Sequence, residues 1–140
     1  MRGAFALDRL LAEFEEAGLR VLIVWEPVLK TDIAAPLTGV LSLLGDRRVA
    51  QYWDPNRVIS EDLIRSANSD PAQYGLDEAF PPEYVAWDVV VVFAKSAHWG
   101  HNFPAPVYYG GPVTSSIDAT RIAVKNALAD ETSASKVVTP

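Results

Sequence analysis

The sequence predicts an α/β domain. A mixed four-stranded sheet carries helices on both faces, as a three-layer sandwich in the order α-β-α-β-α-β-β-α. Three observations lead there. Apolar residues recur at helical spacing in four segments. Four short apolar runs alternate with them: 21–25, 49–53, 85–93 and 107–109. The first two runs flank a helical segment, and a strand–helix–strand unit of this kind makes a parallel pair with a right-handed crossover. The last two runs are close in sequence and are expected to be antiparallel.

Each element has its own signal. Residues 4–17 place Leu7, Leu10, Leu11 and Phe14 on one helix face, and Gly18 suits the left-handed residue that ends a helix. Residues 21–25 are continuously apolar, as in a strand buried on both faces. Thr31 or Asp32 is placed to cap a second helix reaching Leu44, with Ile33, Leu37, Val40, Leu41 and Leu44 as its stripe. Pro36 inside it predicts a late start or a kink. Residues 49–53 form the second strand, closed by Asp54-Pro55, and a short helix spans 60–67. Residues 69–83 hold three prolines and form a long irregular connection. Ser115 and Asp118 resemble a capping box at the start of the last helix, expected to run to Ala129. The domain is expected to span 1–130, with the small polar residues 131–140 as a flexible tail.

Composition narrows the function. The chain has 140 residues, 49% of them hydrophobic and 21% charged, which excludes wholesale disorder. It contains no cysteine, which excludes disulfides, thiolate metal sites and thiol catalysis. The net charge of −6 makes nucleic acid and anionic membranes poor partners. Acidic residues interrupt any leader-like stretch in 1–18, and no run reaches the ~18 apolar residues of a spanning helix. A soluble, cytoplasmic protein without a cofactor is expected.

The element order resembles the thioredoxin-like fold. The local match covers 21–44, where a strand ends in Trp25, a turn carries Pro27 and a helix carries Ala35-Pro36. The resemblance implies a fold and no redox activity. The family's cysteine positions fall on Trp25-Glu26-Pro27-Val28-Leu29-Lys30, and no proline stands where its cis-proline precedes the third core strand, at 85–88. The chain is therefore read as a cysteine-free relative and not as a thiol–disulfide oxidoreductase.

Several groups are candidates for a site. Trp25-Glu26-Pro27 and Trp53-Asp54-Pro55 repeat one pattern at the ends of two strands. If those strands are parallel neighbours, both carboxylates emerge at the carboxyl edge, where open α/β sheets bind ligands. Paired carboxylates there either share a proton, bind a cation or cap the following helix. Lys30 and Asp32 follow closely, and Tyr52 adjoins the second carboxylate, so Trp25, Glu26, Lys30, Asp32, Tyr52 and Asp54 make up the ligand-binding candidates. His98 and His101 are a candidate metal pair, with Asp77, Glu83 or Asp88 as a third ligand. Tyr108 and Tyr109 offer aromatic anchors for a partner, or a strand edge for a homodimer. The favoured reading is a module that binds a small ligand or a protein at the carboxyl edge. The alternative is an enzyme using Glu26 and Asp54, with or without a metal ion.

Overall fold

A computed structural model describes residues 2–15 and 18–135. The elements are α1 (Arg2–Glu13), β1 (Val21–Trp25), α2 (Thr38–Leu41) running into a 3₁₀ turn (Ser42–Leu44), and β2 (Val49–Trp53). They continue with α3 (Val58–Ser69), a second 3₁₀ turn (Pro71–Tyr74), β3 (Val90–Val92), β4 (Tyr108–Gly110) and α4 (Val113–Ser135). Among the described residues no helix is long and apolar enough to cross a membrane.

The chain is α/β, but the expected four-stranded sheet is overturned. β1 pairs with β2 in parallel, with Val21 opposite Val49 and Trp25 opposite Trp53. β3 pairs with β4 antiparallel, with Val90 opposite Gly110 and Val92 opposite Tyr108. Among the described residues no strand joins the two pairs. The described residues form two small two-stranded sheets with four α-helices and not a thioredoxin-like three-layer sandwich. Two local causes shorten the second pair. Asp88 adopts a left-handed backbone (φ 54°), which interrupts the run expected to extend from Val85. Its carbonyl then accepts the Val113 N–H at 2.9 Å, tying the start of α4 to this point. Gly111 permits that approach, because a Cβ there would lie 2.9 Å from the Asp88 oxygen.

Helices join the two sheets. α4 packs on β3, β4 and α1, and α1 packs on the Ser42–Leu44 turn. Leu10, Leu11, Leu44 and Val124 are buried in this part. A second cluster forms around Leu63, Ala67 and Tyr74, against Val89, Val91, Phe103 and Tyr109. Arg48, at the entry to β2, closes the end of α1. Its guanidinium donates to the carbonyls of Leu11, Phe14 and Glu15 and pairs with Asp46.

Other expectations shift as well. The second helix starts at Thr38, after Pro36, so residues 31–37 are not helical. Asp32 does not cap it; its Oδ2 accepts the N–H groups of Val28 (3.1 Å) and Leu29 (2.8 Å), closing its own loop. The capping box does not form, because Ser115 and Ser116 both donate their backbone N–H to Pro112 and Asp118 pairs with Arg121. α1 ends at Glu13, short of the predicted Ala17, and residues 16–17 lie outside the described residues. α4 continues through Ser135, and the remainder of the expected tail, 136–140, also lies outside them.

Candidate functional site

The parallel register places Trp25 beside Trp53, so Glu26 and Asp54 leave the sheet together. The Asp54 N–H donates to the Trp25 carbonyl at 2.8 Å. Both carboxylates then turn to the start of α3. Asp54 Oδ2 accepts the Ile59 N–H at 2.8 Å, and its Oδ1 accepts that of Asn56 at 3.1 Å. Glu26 Oε1 accepts the Ser60 N–H at 3.0 Å, across 34 residues of sequence. The residue that precedes the helix, Arg57, is left-handed and caps nothing with its side chain. The first N–H groups of a helix lack internal partners and carry the positive end of its dipole. Two carboxylates from two strand ends meet that need. The other oxygen of Glu26 is buried without a hydrogen-bond partner.

The sequence therefore brings Glu26 and Asp54 to one edge, and the geometry engages both in helix capping. Glu26→Ala and Asp54→Ala are each expected to lower stability by about 1 kcal/mol. Urea unfolding of the single variants checks this, and a change under about 0.3 kcal/mol in either would show that water replaces that cap.

The other candidates are dispersed. Lys30 is exposed, and the Asp32 carboxylate is committed to its own loop. The Trp25 indole N–H points to the covered side of the sheet and donates to Gln51 Oε1 at 3.0 Å. Tyr52 projects from the opposite side. His98 and His101 are exposed beside an aromatic cluster of Phe93, Trp99 and Phe103. Among the described residues no three His, Asp or Glu side chains are placed to hold a metal ion, so Asp77, Glu83 and Asp88 complete no such set.

Tyr108 and Tyr109 go to different places. Tyr108 lies over Gly110, whose missing side chain makes room for the ring. Tyr109 is half-buried against the Leu63–Ala67–Tyr74 cluster, 6.1 Å edge-on to Tyr74, with its hydroxyl 3.2 Å from that of Tyr84. Burial pushes the Tyr109 phenol far up, and the Tyr84 hydroxyl adds to the effect. Burial also raises Tyr74. A tyrosine raised in the native state stabilises fully below its unfolded value of about 10, and that stability is lost as the pH climbs through the native value. Two of the five tyrosines are therefore expected to resist alkaline titration and to ionise only with unfolding. A UV-difference titration against a circular-dichroism melt in base checks this. Smooth ionisation of all five before unfolding would contradict it.

The prominent surface feature is one that the sequence reading missed. Alternation and register place Leu22, Val24, Ala50 and Tyr52 on one face of the β1–β2 sheet. Leu22 is 53% exposed and Tyr52 56% exposed. Leu29, Ile33 (89%) and Leu37 (80%) stand exposed in the loop beyond the carboxyl end of β1. The signal was present as the periodic stripe Ile33–Leu37, read as the buried side of a helix.

No family model, curated protein or solved structure matches this chain.

Proposed function

We propose that this protein is a protein-binding module that docks its partner on the outer face of the β1–β2 sheet, with the 29–37 loop at the rim. One observation carries the reading: a parallel strand pair that leaves Leu22 and Tyr52 more than half exposed on one face, beside half-buried Val24 and Ala50. Parallel strands ordinarily bury both faces, because connecting segments cover them. Here the Trp25 indole donates to Gln51 on the covered side, and Gln51 donates to the carbonyls of Leu41 and Leu44, while Leu22 and Tyr52 meet solvent. Exposed apolar side chains grouped on one surface are the usual mark of an interaction site. The alternative, carboxylate or metal-assisted chemistry at Glu26 and Asp54, has the capping bonds of both side chains against it.

The test is a quantitative comparison of three immobilised baits: the unmodified chain, a Leu22→Glu/Tyr52→Glu variant, and Trp87→Glu, which alters an exposed aromatic outside β1 and β2. A partner retained by the first and third baits and lost from the second is the expected result. Identical captures on all three would overturn the placement.

A further inference from the structure

We infer that the partner of this module presents an extended peptide segment, which adds to the free edge of β1 as a third strand. The inference rests on the docking reading above and names the partner's chemistry. Its first support is the ladder. The bonds from the Val21 N–H to the Arg48 carbonyl (3.0 Å) and from the Asp54 N–H to the Trp25 carbonyl (2.8 Å) mark the two ends of the β1–β2 pairing. Along a paired strand the main-chain groups of successive residues point to opposite edges. Val21, Ile23 and Trp25 therefore face β2, and the N–H and C=O groups of Leu22 and Val24 face away from it. Among the described residues these outward groups have no hydrogen-bond partner, and no third strand joins β1.

The second support is that nothing in β1 guards this edge. Exposed strand edges are ordinarily blunted by a proline, a charged side chain, a bulge or a covering segment. Val21–Trp25 holds no proline and no charge, and it pairs with β2 residue for residue without a bulge. Leu22, beside half-buried Val24, is more than half exposed. The outer edge of β2 is a poorer site. There the Asp46 carbonyl takes the Val49 N–H at 2.9 Å, and the outward-facing Val49, Gln51 and Trp53 are all half-buried.

The third support is the chemistry that such an edge recognises, which is main chain. Leu22 and Val24 offer N–H and C=O groups at strand spacing over the 5 residues of β1, ~17 Å, and an extended peptide of that length matches them. A helix does not, because its own main-chain groups are already paired. Alternate side chains of the added strand fall beside Leu22 and Val24 and extend the apolar face, so valine, isoleucine or threonine suits those positions. Charge sets the ends. Arg20 before β1 and Lys30 after it are exposed cations, whereas the carboxylates of Glu26 and Asp32 are held by backbone N–H groups. A segment with an acidic residue on each side of an apolar alternation meets both.

Amide hydrogen exchange of the full chain, followed by NMR, is the test. In the free protein the Leu22 and Val24 amides should exchange ~tenfold or more faster than those of Ile23 and Trp25. The probe is the peptide Glu-Val-Thr-Val-Thr-Val-Glu at millimolar concentration. It should slow the Leu22 and Val24 amides ~tenfold or more, and the same peptide N-methylated at every interior residue should leave them unchanged. Val24→Pro removes one outward N–H without breaking the β1–β2 ladder and should lose the response, whereas Val24→Thr, of similar shape, should keep it. Leu22 and Val24 amides as protected as their neighbours in the free chain would overturn the inference. So would an unmethylated peptide without effect, or a methylated one that acts equally. Protection that grows with protein concentration alone would mean that a second copy fills the edge, and would overturn it too. If the peptide fails while the Leu22→Glu/Tyr52→Glu bait still loses its partner, only the strand inference falls. If the peptide fails and all baits capture alike, the docking reading falls with it.

Discussion

Arg48→Met is expected to lower the free energy of unfolding by about 3 kcal/mol and the melting temperature by about 10 °C. The Arg48 side chain is 10% exposed. It donates to Leu11 O at 2.7 Å, to Phe14 O and to Glu15 O at 3.4 Å, and its Nε donates to Asp46 Oδ1 at 2.9 Å. These carbonyls lie in the last turn of α1 and just beyond it; Leu11 O also accepts the Phe14 N–H at 3.1 Å, and a cation there meets the negative end of the dipole. The Arg48 carbonyl meanwhile accepts the Val21 N–H at 3.0 Å, so one residue joins α1, β1 and the entry to β2. Methionine keeps the apolar stem and removes every donor. Lysine keeps the charge but not the planar fork, so Arg48→Lys is expected to recover less than half of the loss.

A pH signature accompanies the change. Hydrogen bonds from the Arg48 side chain and backbone hold the Asp46 carboxyl down to about 2. A carboxyl lowered in the native state stabilises above its free value of 3.8 and loses that stability as the pH falls toward 2. The unmodified chain should weaken across that window, and Arg48→Met should lack most of this dependence. Urea unfolding between pH 2 and 7 measures both. A neutral-pH loss below about 1 kcal/mol would show that water satisfies the α1 carbonyls.

The strand–helix–strand pattern made the β1–β2 pairing legible, because 21–25 and 49–53 admit few arrangements other than parallel neighbours. The repeated Trp-carboxylate-Pro put Glu26 and Asp54 at one edge, with capping among their roles. What the sequence did not disclose depends on contacts far apart in the chain. Local patterning makes 85–93 a strand, but the left-handed turn at Asp88 is set by packing against Gly111 and Val113. The 31–44 stripe has helical period, yet Asp32 closes a tighter loop and helix begins only beyond Pro36. Glu26 reaches Ser60 across 34 residues and Arg48 reaches Leu11 across 37, with no local signal for either. Strand pairing between sheets is equally non-local, which is why four correctly ordered strands do not make one sheet.

Gln51→Leu is expected to cost about 2 kcal/mol, despite replacing a polar residue by an apolar one in an apolar strand. Gln51 lies on the covered face of β2. Its Oε1 accepts the Trp25 indole N–H at 3.0 Å, and its Nε2 donates to Leu41 O at 2.8 Å and Leu44 O at 3.3 Å. One amide thus satisfies a neighbouring strand and the end of the helical turn packed on it. Leucine gains burial but leaves a donor and two carbonyls short of partners where water has little access. Gln51→Glu separates the two halves of this role. It retains an acceptor for Trp25 but sets a negative charge against two carbonyl oxygens, which raises the introduced carboxyl above its free value of about 4.3. A group raised in the native state is stabilising below its unfolded value and loses that stability as the pH rises through the native one. The Gln51→Glu variant should therefore be weakest near neutrality and recover on acidification, opposite in sign to the Asp46 effect. A difference from the unmodified chain that does not vary with pH would mean that position 51 faces solvent. Leu22 and Tyr52 would then be the covered side chains, so this one titration also tests which face of the sheet is free to dock.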